Sequence, residues 1–287
     1  MQGEKNVISA STLYLVGTPI GNLSDVSERA KKVLSEVDFI AAEDTRNSAK
    51  LLSAYGIKKE LVSYFEHNKK LSGERILARL TSGESCALIT DAGMPAISDP
   101  GEDIVRLCAE AGIAVCVVPG PCAAVSALAL SALSTSRFAF EGFLESKQSQ
   151  RLKRLRTLSG EERTMIFYEA PHRLRATLSD MAQVFGGERR ISLCRELTKL
   201  NEQTIRTTLS GAILYYEDRE PRGEYVLVLD GAQSSGEQAE LLELSPKEHV
   251  EHYISLGMTK MDAMKAAARD RGVSKSDIYK EILEENL

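Results

Sequence analysis

From Thr12 to Val118 the chain alternates short apolar runs with amphipathic stretches, and no other feature restricts its fold as much. The runs are TLYLVGT, FIAAEDT, LVSYF, CALITD and AVCVVPG. Between them lie LSDVSERAKKVLSEV, which Ser24 or Asp25 opens as a helix, TRNSAKLLSAYG, which Gly56 closes, KLSGERILARLTSG and GEDIVRLCAEAG. A strand that is apolar along its whole length has both faces covered. A strand–helix–strand repeat supplies that cover through parallel crossovers. We therefore expect a doubly wrapped parallel sheet in residues 1–123. Such sheets bind ligands beyond the carboxyl ends of their strands, so the loops after the apolar runs are the places to search.

The rhythm changes beyond residue 123. PGPCAAVSALALSALS reads as a helix of small residues, able to pack closely. TMIFYEA and ISLCREL are strands around the helix RLRATLSDMAQVFG, and EQTIRTTLS and EYVLVLDG are further strands. Residues 124–232 thus form a second α/β domain whose strands run in mixed directions. AQSSGEQAE is a polar linker. Residues 233–287 hold that linker and a small C-terminal helical module. Within it TKMDAMKAAARDRG, a turn at Gly272 and VSKSDIYKEILEE resemble a helix-turn-helix, with Ser274-x-x-Asp277 as a capping-box-like start. The fold class is α/β, with two α/β domains and this module.

Composition excludes several classes. With 43% hydrophobic and 27% charged residues in 287, the chain has material for a proper core. A formal net charge of -5 argues against a protein that coats nucleic acid by charge alone, though not against a local basic footprint. The N-terminus MQGEKNVISAST lacks a signal-peptide layout, and CAAVSALALSALS is too short and small-residued to span a bilayer. A cytoplasmic chain without a membrane partner is expected. Five cysteines, an odd number without a C-x-x-C pair, read as reduced core thiols, AVCVV being one such setting. The four histidines are scattered, so no metal site is expected.

The loops carry the chemistry. Gly17–Asn22 is rich in glycine but is not G-x-G-x-x-G, and Pro19 removes an amide that such a loop would offer a phosphate. Dinucleotide binding is therefore disfavoured, although Glu43 stands where a ribose-binding acid would. Glu43, Asp44 and Arg46 end the second strand, and on the residues alone a helix cap is the better explanation. DAGMPAISDPG combines a carboxylate at a strand end, small residues and two prolines, which suits a backbone-lined pocket. VVPGPCAA repeats the idea, with the amides of Cys122 and Ala123 opening a helix. IFYEAPHR ends a strand in Tyr168 and Glu169, and His172 is read as a surface residue. KQSQRLKRLRTL gathers Lys147, Arg151, Lys153, Arg154 and Arg156 on a basic helix.

Taken in order, VGTPIGNL, AEDTR, DAGMPAISDPG, VPGPCAA, FYEAPHR, RELTK and RGEYVLV resemble the tetrapyrrole methylase superfamily, from about Thr12 to Asp230. Within it they are most similar to the branch that 2′-O-methylates a cytidine ribose, C1402, in 16S ribosomal RNA. The resemblance implies a homodimer with S-adenosylmethionine in a cleft between the two α/β domains, acting on the small ribosomal subunit. It places Pro19, Asp91, Ala92, Gly93, Met94 and Ile97 along the cofactor, Cys122 and Ala123 as backbone donors, and Tyr168 and Glu169 over one end. Glu43 or Asp44 is then the candidate acceptor for the ribose hydroxyl proton. Arg46, Lys147, Arg151, Lys153, Arg154 and Arg173 are the candidate RNA contacts. Gly93-Met94-Pro95 departs from the Gly-Asp-Pro of the tetrapyrrole enzymes, and the first loop has fewer glycines than theirs. A precorrin-type C-methyltransferase and a catalytically silent RNA-binding assembly factor are the alternatives.

Overall fold

A computed structural model describes residues 7–232 and 241–284. Most of the polar linker AQSSGEQAE lies outside the described residues. Residues up to Gly231 form one compact unit, and those from Ala232 form a second.

In the first unit, strands β1 (Thr12–Val16), β2 (Phe39–Ala42), β3 (Glu60–Ser63), β4 (Cys86–Ile89) and β5 (Ala114–Val118) make a wholly parallel sheet. Their order is β3-β2-β4-β1-β5. Helices α1 (Glu28–Glu36), α2 (Thr45–Ala54), α3 (Lys69–Thr81) and α4 (Gly101–Glu110) cover both faces. The period of two is visible in the packing. Ile40, Ala42, Ala87 and Ile89 enter one core, while Phe39, Ala41, Cys86 and Leu88 enter the other. The chain leaves β1 in one direction and β4 in the opposite one, although the two strands are neighbours. That reversal opens a crevice at their carboxyl ends.

Two local expectations need correcting. α1 starts at Glu28 because the Ser27 side chain accepts from Ala30 N at 3.1 Å, whereas Leu23–Asp25 forms a separate single turn capped by Asn22. β5 is an edge strand, so its apolar run is not fully enclosed: Cys116 is exposed and Val117 is 51% exposed. Cys86, Cys108 and Cys194 are buried free thiols.

The second sheet joins β6 (Phe138–Phe143), β7 (Thr164–Glu169), β8 (Arg190–Arg195), β9 (Gln203–Thr208) and β10 (Tyr225–Leu229) in the order β6-β7-β10-β8-β9. Only the β6–β7 pair is parallel, so the directions are mixed. α5 (Ala123–Leu130) packs Ala124, Ala127 and Leu128 on one face against Ile166, Val226 and Val228. The other face carries α6 (Gln148–Thr157), α7 (Leu174–Phe185) and α8 (Leu209–Tyr215) over Met165, Phe167, Leu227 and Leu229.

Arg151 of α6 does not join the basic surface. It is 4% exposed, and its Nε donates to Asp180 Oδ2 at 2.7 Å, while its Nη1 donates to the carbonyls of Glu145 and Ser146. Gln148 donates to the other Asp180 oxygen at 2.8 Å. The guanidinium is spent on holding α6 to α7.

The second unit packs α9 (Pro246–Ser255), α10 (Lys260–Arg271) and α11 (Lys275–Glu284) around Val250, Ala263, Met264, Ala267, Ala268 and Ile278. Gly272 leaves α10 at φ 67°, and Ser274 and Asp277 exchange the expected capping hydrogen bonds. His249 is fully buried and stacks on Tyr253, with ring centroids 5.5 Å apart. Its Nδ1 accepts from Arg271 Nε at 3.1 Å, and its Nε2 lies 3.5 Å from Asp270. Tyr253 also donates to Asp270. Burial, with the Arg271 charge, pushes the imidazole below its ordinary value of 6.5, and Asp270 only partly opposes this. A histidine kept neutral in the fold adds stability in full above the unfolded value, and that stability drains away as pH falls through the folded one. We expect the His249 ring resonances to stay neutral below pH 6.5, with this unit losing stability as the pH falls further. Titration of His249 at or above 6.5, followed by proton NMR, would contradict this.

Candidate active site

A cavity of about 550 Å³ lies in the first unit, within the range that buries a small organic ligand. Its walls are the loops that follow β1, β2, β4 and β8, the start of α5, and the strand ends of β6, β7 and β10. The crevice at the carboxyl ends of β1 and β4 is therefore roofed by the second sheet.

The loop after β4 is built to keep one shape. Ala96 and Ser98 adopt φ of 66° and 64°, costing about 1–3 kcal/mol each in non-glycine residues. Asp99 repays this by accepting from Ala96 N at 2.9 Å and Gly101 N at 2.7 Å through one oxygen. Tyr64 adds a bond to the Pro100 carbonyl at 3.0 Å. The loops after β1 and β4 are stitched together: Thr18 N donates to Gly93 O at 2.9 Å, Gly93 N donates to Thr18 O at 3.2 Å, and Thr18 Oγ1 reaches Thr90 O at 3.1 Å. Gly93 lines the cavity, but both its main-chain polar groups are engaged, so it offers a ligand close approach and not a hydrogen bond.

The loops after β1 and β5 touch backbone to backbone. A Cβ added at Gly17 would stand 2.7 Å from Gly120 Cα and 2.8 Å from Met94 Sδ. Gly17→Ala must therefore separate two cavity walls. We expect it to cost about 1–3 kcal/mol in urea denaturation and to weaken ligand binding at least tenfold by calorimetry. Wild-type affinity in the alanine variant would show that the contact does not shape the cavity.

The neighbours Glu43 and Asp44 part company. Glu43 lines the cavity, its Oε2 accepting from Thr90 Oγ1 at 2.8 Å. Asp44 caps α2, accepting from Arg46 N at 2.8 Å and Asn47 N at 3.4 Å, and is not among the lining residues. The Arg46 amide holds its carboxyl below the usual range, which makes it a poor base. Arg46 itself is exposed, 3.6 Å from Asp44.

Asp91, Ala92, Met94, Ile97, Cys122, Ala123, Tyr168 and Glu169 all line the cavity; Pro19 does not, and Ile20 takes its place. Tyr168 builds an aromatic wall with Phe140 and Phe143, at centroid distances of 5.0 and 5.4 Å. Burial pushes its hydroxyl up, and the Ala124 amide at the start of α5 faces its oxygen. Glu169 is 2% exposed and accepts from Ala170 N and Thr177 Oγ1, with Arg173 Nε 3.5 Å away. Arg173 also donates to Leu144 O, so this guanidinium braces the site and does not reach outward. Lys147 and Lys153 are exposed, and Arg154 pairs with Glu141.

Other cavity residues come from strand ends of the second sheet, Phe143 and Tyr225, and from the loops beside them, Leu197, Lys199 and Glu224. Lys199 donates to Glu196 Oε1 and Glu224 Oε2, both at 2.9 Å. The RELTK stretch marks its loop in the sequence, yet only the direction of β8 turns that loop toward the cavity.

The sequence profile of the tetrapyrrole (corrin/porphyrin) methylases matches residues 12–213. The chain is 49% identical over 273 residues to ribosomal RNA small subunit methyltransferase I of Halalkalibacterium halodurans, covering 93% of each chain. It is 48% identical to the protein of that name in Bacillus subtilis, covering 93% of this chain and 92% of the relative. Among solved structures it resembles uroporphyrin-III-C-methyltransferase from Thermus thermophilus, with a TM-score of 0.54 at 20% identity over 76% of this chain and 94% of that one. Diphthine synthase aligns with a TM-score of 0.59 at 14% identity, over 76% and 90%. At these identities the structural likeness is one of fold.

Proposed function

Because the chain belongs to the tetrapyrrole (corrin/porphyrin) methylase family, we propose that it is the enzyme that moves a methyl group from S-adenosylmethionine to the ribose 2′-oxygen of a cytidine, C1402, in 16S rRNA of the small ribosomal subunit. The observation that carries this is the near-half identity to small-subunit rRNA methyltransferases, which runs through 93% of the chain. The likeness to tetrapyrrole C-methyltransferases stops at fold level. A homodimer working in the cytoplasm accompanies the proposal.

The cavity suits the donor in volume and chemistry. Ala92, Met94 and Ile97 supply apolar wall, the opening amides of α5 at Cys122 and Ala123 supply donors, and Tyr168 supplies an aromatic face. When bound, S-adenosylmethionine contributes a methyl group already activated by a sulfonium. The protein therefore has two tasks: alignment, worth up to ~7–11 kcal/mol in favourable cases, and a place for the hydroxyl proton. Glu43 takes that proton as the ribose oxygen bonds to the methyl carbon, while the carbon–sulfur bond breaks and its electron pair leaves with sulfur as a neutral thioether. In this reading the exposed Arg46, Lys147 and Lys153, with Arg154 beside its partner Glu141, meet the RNA phosphates.

Ribose-methylation mapping of small-subunit rRNA from a strain lacking this protein tests the proposal. The mark should vanish at one cytidine and return on complementation; a mark that persists overturns it. Calorimetry with S-adenosylmethionine separates an enzyme from a silent RNA binder. Transfer to a tetrapyrrole acceptor and not to subunits would favour the corrin-type reaction.

A further inference from the structure

The helical tail holds a second groove, made of residues unrelated to the cavity. Lys260, Met261 and Met264 of α10 line it together with Lys275, Ser276 and Tyr279 of α11. Met261 is 56% exposed and Tyr279 53%, a notable outlay of apolar and aromatic surface for a unit this small. Lys260 and Lys275 are the first residues of their helices, where the macrodipole favours acids, so neither lysine serves its own helix. The acids in those first turns are engaged: Asp262 with Thr259 and Lys265, with the Lys275 charge also acting on it, and Asp277 with Ser274. The groove thus has a basic rim, an apolar floor and an open aromatic ring.

We infer that this groove docks an unpaired RNA strand, its two ammonium groups taking phosphodiesters while a base stacks on Tyr279 beside the Met261 and Met264 thioethers. Two cations and a ring face in one groove match the two repeating parts of a single strand, phosphate and base. A second copy of the chain fits less well, since a twofold contact would set this lysine pair against itself. The inference rests on the proposed RNA substrate but not on the cavity.

The test uses the full chain, a fluorescein-labelled single-stranded oligocytidylate and isolated small subunits. Lys260→Gln/Lys275→Gln should weaken oligonucleotide binding roughly tenfold and lower the slope of log K against log salt by about 1.4, the value for two lost phosphate contacts on a single strand. Tyr279→Ala should weaken it roughly tenfold while Tyr279→Phe does not. With subunits as substrate, KM should rise and kcat hold, and S-adenosylmethionine affinity should be unchanged. Wild-type binding and salt slope in all three variants would overturn the inference, as would a shift in oligomeric state by light scattering in place of the RNA defect. If the wild-type chain neither binds S-adenosylmethionine nor methylates subunits while the groove variants still lose RNA, the proposed function falls and the groove stands.

Discussion

Glu43→Gln should lower methyl transfer to small subunits by ~10²–10⁴ while leaving S-adenosylmethionine affinity within roughly twofold of wild type. Glutamine keeps the size of the side chain and an oxygen able to accept from Thr90 Oγ1, a contact of 2.8 Å in the native protein. What it loses is the capacity to take a proton. The effect therefore belongs in kcat, measured under single-turnover conditions with saturating donor. Asp44→Asn is the matched control. Asparagine caps a helix about as well as aspartate, so this variant should fold and turn over normally, whereas Asp44→Ala should cost about 1 kcal/mol of stability through the cap of α2. Near-normal turnover in Glu43→Gln would remove Glu43 as the proton acceptor.

The second large effect is on stability. Arg151→Met should cost about 3–5 kcal/mol in urea denaturation, because it strands the Asp180 carboxylate in a position 2% exposed. Only the Gln148 amide would remain beside it, and the Glu145 and Ser146 carbonyls would lose their donor. Folded domains are held by only about 5–15 kcal/mol, so this is a large fraction of the total. Arg151→Met/Asp180→Leu should recover most of the loss, since a buried pair can be replaced by packed apolar groups. A single variant as stable as the wild type would show the pair to be dispensable. A change in the salt dependence of RNA binding without a stability loss would restore Arg151 to the RNA surface.

Arg151 also shows where local pattern fails. In QRLKRLRT it cannot be told from Lys153 or Arg154, because all three lie on one polar helix. Its fate depends on Asp180, a carboxylate 29 residues away on α7. Glu43 follows the same rule, since Thr90, just past the neighbouring strand β4 and 47 residues away, holds it at the cavity, whereas the Asp44 cap on the Arg46 amide is local and legible in the sequence. The exposed Cys116 follows from the position of β5 at the sheet edge, which its apolar sequence hides.

By itself the sequence determined what depends on short range: the parallel sheet, the mixed second sheet, the helical tail and the loops that line the cavity, because hydrophobic period and turn chemistry act within a few residues. Tertiary structure alone decided which side chain in each loop faces the cavity and which charges are spent inside. Those outcomes turn on partners tens of residues apart, and on burial, which makes an unpaired charge too costly to leave alone.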